Sequence, residues 1–128
     1  MIRGIGVDIV FVGRFVAWCS NAKLLSRYFH PQEIGDCNGP SVAMALAARF
    51  AAKEAFGKAL GTGLRGFRLR EVQVVNDRLG KPFLTLHGRA KRVFESTGGG
   101  SIHLSLAHER DNAVAMVTVL LGVISVVL

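Results

Sequence analysis

Two carboxylates in apolar surroundings are the residues of this chain best suited to chemistry. Asp8 lies in the segment MIRGIGVDIV, and Glu54 lies in RFAAKEAFGKALGTG with Lys58 four residues after it. A carboxylate buried without a partner costs free energy, so each of these two needs a cation, a base or a helix end. Carboxylates beside an amine favour a shared divalent metal ion and a phosphorylated ligand. The elements that carry Asp8 and Glu54 must therefore bring them together.

The segment around Asp8 alternates as a β-strand does. One face carries Ile5, Val7 and Ile9, and the other carries Gly4, Gly6 and Asp8. We expect the glycines to leave open space beside the carboxylate. The alternative is that Asp8 is the N-cap of a helix running through Arg14 and Trp18, since Asp is a favoured cap.

The segment around Glu54 predicts a long helix over residues 41–60, capped by Ser41 and ended by Gly61 and Gly63. One strip of this helix carries Ala47, Ala51, Glu54 and Lys58. Its small residues would leave room for a ligand beside the two charges. The alternative is an exposed ion pair between Glu54 and Lys58, worth roughly 0.3–0.5 kcal/mol.

The neighbouring strip of the helix carries two like charges, Arg49 and Lys53, four residues apart. Such a pair is mildly unfavourable unless an anion or an acid lies between the two cations. The sequence leaves open whether a bound anion or an acidic side chain lies between the two cations.

A third segment, SIHLSLAHE, alternates with Ile102, Leu104 and Leu106 on one face and His103, Ser105 and Ala107 on the other. The histidine and serine could suggest a hydrolase. However, side chains two apart on a strand start roughly 6–7 Å apart, which is awkward for a nucleophile and its base. The chain also has no G-x-S-x-G nucleophile elbow, so we reject a hydrolase.

Together these segments resemble the holo-acyl-carrier-protein synthase family, the small bacterial phosphopantetheinyl transferases. The resemblance rests on GIGVDIV followed by Arg14, on RFAAKEAFGKALGTG, on GKPFLTLHG and on HLSLAHE with AVAMVTV, in that order from Met1 to about Val119. It implies transfer of the 4′-phosphopantetheine arm of coenzyme A to a serine of apo acyl carrier protein, in fatty acid biosynthesis in the cytoplasm. It also implies a homotrimer with active sites between subunits.

The resemblance assigns roles to individual residues. Asp8 and Glu54 match two Mg²⁺ ligands, and Glu54 and Lys58 are the catalytic residues, with either Glu54 or a metal-bound water as the base. Arg14 matches a position on the helix that docks the carrier. The residues expected to hold coenzyme A are Arg49, Lys58, Gly61, Thr62, Gly63 and His103.

Two segments depart from the family pattern. Phe11 and Val12 stand where the family usually has Glu-Ile, and Ala107 replaces a Ser or Thr before His108. Neither change removes a metal ligand, but both affect hydrogen bonding around the site. A catalytically weak homologue that binds carrier protein or nucleic acid is therefore the alternative function.

Composition favours an acidic partner. The 128 residues carry a formal net charge of +7, which suits an acidic carrier or a nucleic acid. Aromatic residues make up only 8% of the chain, and no nucleic-acid-binding signature is present, so we expect no nucleic-acid partner. The apolar C-terminal residues 113–128 are too few to span a bilayer as a helix. We expect a buried strand there, followed by a tail at a subunit contact.

The overall expectation is one α+β domain over residues 1–128, with the phosphopantetheinyl transferase fold and a mainly antiparallel sheet packed on the long helix. Its elements should follow in the order strand, short helices, long helix, two strands, helix, two strands. Cys19 and Cys37 should be free thiols, because two cysteines without a signal peptide favour a reducing compartment.

Overall fold

The predicted order of elements is confirmed in the computed structural model, which describes residues 1–36, 39 and 41–122. The strands are β1 (Ile2–Phe11), β2 (Val72–Asn76), β3 (Pro82–Leu86), β4 (Ser101–Glu109) and β5 (Asn112–Leu120). The α-helices are α1 (Ala22–Tyr28), α2 (Pro31–Asp36), α3 (Val42–Leu60) and α4 (Gly88–Ser96). Short 3₁₀ turns cover Val12–Phe15, Ala17–Ser20 and Leu69–Glu71.

The strands form two antiparallel sheets. The larger sheet has the order β1-β5-β4, and β2 and β3 form a separate hairpin. Strands β4 and β5 are joined by a tight turn in which Arg110 adopts a φ of +54°. This arrangement of helices and antiparallel sheet confirms the α+β class predicted from the sequence.

Helix α3 packs directly on β1, and two glycines make the close approach possible. A Cβ atom on Gly6 would lie 2.0 Å from the main-chain oxygen of Ala55, and one on Gly4 would lie 1.9 Å from that of Ala59. The prediction of open space beside Asp8 is therefore wrong, because the backbone of α3 fills that space. The glycines bring the helix that carries Glu54 against the strand that carries Asp8.

Asp8 does not cap a helix. Strand β1 continues for three residues beyond it, to Phe11, and the first 3₁₀ turn begins only at Val12. The strand pairs with β5, where Asp8 lies opposite Ala115. The strand interpretation of this segment is thus confirmed over the helix-cap alternative.

The larger sheet has one buried and one exposed face. Ala113, Ala115, Val117 and Val119 of β5 are fully buried toward α3. On the other face, Val7 of β1 is 56% exposed and its β5 partner Met116 is 47% exposed. The buried strand predicted from Ala113 is β5, whose alternate residues are buried against the helix while Met116 is 47% exposed.

The ends of α3 lie close to those predicted. Ser41 occupies the N-cap position, although its side chain makes no capping hydrogen bond, and Gly61 ends the helix with a φ of +78°. None of the helices in the described part of the chain is long and apolar enough to cross a membrane. Cys19 is an exposed free thiol, whereas Cys37 and the apolar residues 123–128 lie outside the described residues.

Candidate active site

The carboxylate of Asp8 meets the ammonium of Lys58 across 50 residues of chain. Lys58 Nζ donates to Asp8 Oδ1 at 2.9 Å and to the main-chain oxygen of Val7 at 3.0 Å. The Asp8 side chain is only 17% exposed, whereas that of Lys58 is 54% exposed. Lys58 therefore covers the carboxylate from the solvent side and remains accessible to a ligand.

Glu54 completes this cluster from the preceding turn of α3. Burial raises the pKa of the Glu54 carboxyl above its ordinary value, and the charge of Asp8 raises that pKa further. Lys58 and then Arg14 act in the opposite direction. A carboxylate that is disfavoured as an anion by burial and by a second carboxylate forms a site that gains from a bound cation.

The register between strand and helix explains this meeting. Gly4 faces Ala59 and Gly6 faces Ala55, so two strand residues correspond to one turn of α3. Two strand residues advance about 6.6 Å and four helical residues about 6 Å, which keeps the two elements in step. The next step along β1 brings Asp8 level with the turn of α3 that precedes Ala55. Glu54 belongs to that turn.

The predicted surface ion pair between Glu54 and Lys58 is not among the contacts of the described residues. The two ion pairs there join Asp8 to Lys58 and Glu33 to Lys53. Sequence spacing suggested the helical pair because residues four apart on a helix are neighbours. Only the packing of β1 on α3 makes Asp8 the better partner of Lys58.

Arg14 approaches the cluster from the 3₁₀ turn that follows β1. Its guanidinium lies 5.1 Å from the ring centre of Phe50 in α3 and 5.9 Å from that of Trp18. These aromatic rings hold a cation beside the site, where its charge lowers the pKa of Glu54. Arg14, which the sequence analysis predicted to dock the carrier, thus lies at the edge of the cluster of Asp8 and Glu54.

The turn of Gly61, Thr62 and Gly63 closes the C-terminal end of the site. Gly61 N donates to the oxygen of Lys58, and Gly63 N donates to the oxygen of Gly57, both at 3.1 Å. The chain therefore folds back on α3 within one turn of Lys58. This position is compatible with the predicted role of the turn in shaping a phosphate pocket.

Arg49 lies on a different strip of α3 and is turned toward the core. It is 7% exposed, and its Nη1 donates to the main-chain oxygen of Glu33 at 2.9 Å. The side chain of Glu33 accepts a hydrogen bond from Lys53 at 2.6 Å. Glu33 of α2 therefore accepts from both cations, with its main-chain oxygen from Arg49 and with its carboxylate from Lys53.

Within one chain, His103 and Asp8 lie on the two edge strands and on opposite faces of the larger sheet. The predicted alternation of β4 is confirmed, with Ile102, Leu104 and Leu106 half-buried and His103 exposed on the opposite face. Asp8 is on the helix-facing side of β1, at the other edge of the same sheet. The hydrogen-bond partner of His103 is Ser101, at 3.1 Å. One chain alone therefore does not bring His103 and Asp8 to the same ligand.

The two departures from the family pattern also lie at distinct places. Phe11 ends β1 and is 57% exposed. Ala107 lines a cleft of about 610 Å³ between α3, β3 and β4, together with Ser105, Lys81 and His108. The hydrogen bonds of the Asp8–Lys58 pair involve the main-chain oxygen of Val7 and neither Phe11 nor Ala107.

Asp8 and Glu54 are the candidate metal ligands of the site. No group of three or more histidine, cysteine, aspartate or glutamate side chains could hold a metal within the described ranges. A metal ion held by Asp8 and Glu54 would therefore need further oxygen ligands from a bound molecule or water. This is the coordination that Mg²⁺ commonly adopts with phosphates.

Comparison with known proteins shows the family of this chain. Residues 4–117 match the family model of the 4′-phosphopantetheinyl transferase superfamily. The chain is 50% identical over 121 residues to the holo-[acyl-carrier-protein] synthase of Treponema denticola, covering 93% of this chain and 98% of that protein. The crystal structure of the Neisseria meningitidis holo-[acyl-carrier-protein] synthase superimposes with a TM-score of 0.85 at 35% identity, covering 93% and 98% of the two chains.

A further solved structure carries a ligand. The Helicobacter pylori holo-[acyl-carrier-protein] synthase in complex with coenzyme A superimposes with a TM-score of 0.79 at 29% identity. The superposition covers 90% of this chain and 98% of that one. The likeness therefore extends over nearly the whole of both chains.

Proposed function

The chain belongs to the 4′-phosphopantetheinyl transferase superfamily, and on this premise we propose that it transfers the 4′-phosphopantetheine arm of coenzyme A to a serine of apo acyl carrier protein. The products are the holo carrier and adenosine 3′,5′-bisphosphate. The observation that carries the proposal is the cluster of Asp8, Glu54 and Lys58, where two carboxylates and an ammonium meet at an accessible surface. We place the reaction in fatty acid biosynthesis in the cytoplasm, within a single domain over residues 1–128.

Asp8 and Glu54 suit Mg²⁺ because both are hard oxygen donors. Burial and repulsion from Asp8 raise the pKa of Glu54. A cation between the two carboxylates would reduce the free-energy cost of ionising Glu54 that both effects impose. These two residues would hold Mg²⁺, with the remaining positions left for phosphate oxygens and water. When bound, the ion would neutralise negative charge on the diphosphate of coenzyme A.

Lys58 and Glu54 provide the remaining chemistry. The exposed ammonium of Lys58 can turn from Asp8 to a phosphate oxygen and stabilise the negative charge that develops on it during transfer. We assign the proton of the attacking serine to Glu54, the half-buried carboxylate that lies in the cluster with Asp8 and Lys58. We assign the Gly61–Thr62–Gly63 turn and His103 to the coenzyme A pocket, but not Arg49, whose 7% exposed side chain donates to the main-chain oxygen of Glu33.

We propose that neighbouring subunits share each pocket, in a homotrimer. Two features support this arrangement. His103 lies on the sheet face opposite Asp8, so another copy of the chain must supply it to the cluster. That same face exposes apolar side chains that a second subunit would cover; these are Ile5, Val7, Ile9 and Met116.

Arg14 is the proposed docking residue for the carrier. It lies beside Glu54 and carries one of the positive charges that give the chain its net +7. Acyl carrier proteins are strongly acidic, so a cation at the rim of the site would steer the carrier serine toward the diphosphate.

The test is to incubate the protein with apo acyl carrier protein, coenzyme A and magnesium, and to weigh the carrier by mass spectrometry. We expect a gain of roughly 340 Da, calculated from the formula of phosphopantetheine, and loss of that gain with Glu54→Gln or on chelation of the metal. Glu95→Gln, an exposed position on α4, is the matched control and should retain activity. No gain with a carrier that another transferase modifies would reject this function.

A further inference from the structure

Two histidine rings stack on each other outside the site described above. The rings of His30, before α2, and of His87, before α4, have centres 4.8 Å apart and planes that differ by 20°. Both side chains are half-buried. Neither residue has a role in the proposed reaction. The stack joins the start of α2 to the connection between β3 and α4.

His30 also closes the N-terminal end of α2. Its Nδ1 accepts a hydrogen bond from Gln32 N at 3.2 Å, and its main-chain N donates to Glu33 Oε1 at 2.8 Å. These are the two reciprocal bonds of a helix cap. Nδ1 can accept only while it carries no proton. Protonation of Nδ1 would therefore remove the bond to Gln32 and place two N–H groups against each other.

His87 is held in place by two glutamine side chains. Its Nε2 donates to the amide oxygen of Gln73 at 2.8 Å, and Gln73 Nε2 donates to the amide oxygen of Gln32 at 3.0 Å. Gln73 is only 4% exposed, and His87 N donates to the main-chain oxygen of Glu71 at 2.8 Å. The ring of His87 therefore cannot move away from His30 without breaking hydrogen bonds of the buried hairpin strand β2.

Most of the charges that face His30 oppose a proton on its ring. Burial lowers the pKa of His30, and the charge of His87 lowers it further. Lys53 and Arg70 act in the same direction, whereas Glu33 raises this pKa. The Glu33 carboxylate, however, already accepts from Lys53 at 2.6 Å. A second proton on the stack thus meets more positive than negative charge.

The other charged groups around the stack are also engaged. Glu71 turns both carboxylate oxygens to main-chain N–H groups, those of Arg68 and Arg89, each at 2.7 Å. Arg49 of α3 donates to the main-chain oxygen of Glu33 at 2.9 Å. Within the described residues, both carboxylates beside the stack therefore already accept from other donors.

We infer that the stack of His30 and His87 is an acid-sensitive joint, which holds α2 against β2 while the rings are neutral and releases it when both are protonated. Two imidazolium rings at this separation repel each other, and a protonated His30 no longer caps α2. Because α2 carries Glu33, release also loosens the contact of Glu33 with Lys53 of α3. Histidine changes its charge close to neutral pH, so mild acid is sufficient. The joint is a property of the fold and does not depend on the proposed function.

The direction of the pH effect follows from His30. Its pKa in the folded chain lies below the ordinary value of 6.5, so the unfolded chain binds more protons at this position as the pH falls through 6.5. The stability contributed by the neutral ring is fully present above this pH and is lost below it.

The test uses variants that keep the hydrogen bonds and remove the titration. His30→Asn retains a side-chain acceptor suited to a helix cap, and His87→Gln retains an amide donor for Gln73. His108→Asn, at an exposed position of β4, is the matched control. Urea unfolding is measured at about pH 7.5 and about pH 5. On acidification, the unfolding constant of wild type and of His108→Asn should rise about threefold more than that of either stack variant.

Amide hydrogen exchange locates the opening. After correction for the intrinsic effect of pH, exchange at Gln32 should accelerate in mild acid in wild type but not in His30→Asn. Val117, which is fully buried in the central strand β5, should stay protected in both proteins.

Three results would overturn the inference. Equal pH dependence in wild type and in both stack variants would reject the joint, as would an equal loss of pH dependence in His108→Asn. An NMR titration midpoint of His30 at or above 6.5 would also reject it, because the stack would then favour the proton.

Discussion

The ammonium of Lys53 lies 2.6 Å from the carboxylate of Glu33, and both side chains are fully buried. Lys53 also donates to the main-chain oxygens of Leu69 and Val72, and the second Glu33 oxygen accepts from Val74 N at 3.1 Å. The pair thus joins α2, α3 and β2 one residue before Glu54. This connection helps to set the rotation of α3 that turns Glu54 and Lys58 toward Asp8.

Replacing Lys53 with methionine should strongly destabilise the fold. The substitution leaves the Glu33 carboxylate buried without a cation, which costs about 3–5 kcal/mol. Urea unfolding measures this loss. The Glu33→Gln/Lys53→Met double variant should lose less than the sum of the two single variants, because neither charge is then left alone. Additive losses would contradict a direct interaction of the pair.

The pH dependence of stability should carry a contribution from Lys53. Burial lowers its pKa to about 8 from an ordinary value of 10.5, against the opposing charge and hydrogen bond of Glu33. Between these two pH values the unfolded chain binds more protons at this position than the folded chain does. The contribution of Lys53 to the free energy of unfolding therefore rises as the pH rises from about 8 to about 10.5, and it is lost as the pH falls through about 8.

The direct measurement for Lys53 is an NMR titration of its side-chain carbon beside the ammonium, assigned by its absence in Lys53→Arg. Urea unfolding at several pH values between 8 and 10.5 then tests the slope in stability. A titration midpoint at or above the ordinary lysine pKa would show that Glu33 fully offsets burial.

Gly6→Ala should separate the two halves of the active site. The added Cβ would meet the Ala55 oxygen at 2.0 Å, and a helix backbone cannot yield without moving α3 away from β1. We expect a loss of about 3 kcal/mol in the free energy of unfolding, together with a loss of transferase activity. Gly35→Ala in α2 is the control, because no atom lies within 4 Å of its added Cβ. That variant should be neutral or stabilised by about 0.5–1 kcal/mol.

Glu54→Gln should separate metal binding from folding. Without magnesium, we expect the variant to be at least as stable as wild type at neutral pH, since it removes a carboxylate whose charge is disfavoured by burial and by Asp8. Magnesium should raise the melting temperature of wild type and of Glu95→Gln but not of Glu54→Gln. An equal shift in all three proteins would place the metal elsewhere.

Val7→Glu should disrupt the proposed trimer. Val7 is 56% exposed beside its register partner Met116 on the apolar sheet face, where a buried carboxylate would have no partner. Light scattering after size exclusion should give about three times the 13.8 kDa chain mass for wild type and one chain mass for the variant. Leu79→Glu, at a 94% exposed turn position, should remain a trimer. A single-chain mass for wild type would contradict shared active sites.

Local pattern determined much of this protein. The alternation around Asp8, the apolar run ended by Gly61 and the alternation of β4 predicted their elements, because side-chain period and backbone freedom act over a few residues. The family motifs added the function and assigned Asp8, Glu54 and Lys58 to one site.

Only the tertiary structure decided which side chains meet. Lys58 donates to Asp8 of β1, and Lys53 pairs with Glu33 of a separate helix. The glycines of β1 pack against the backbone of α3, where the sequence predicted open space. These outcomes depend on contacts between residues that lie far apart along the chain. No local pattern encodes such distances, because they follow from how closely two packed elements approach.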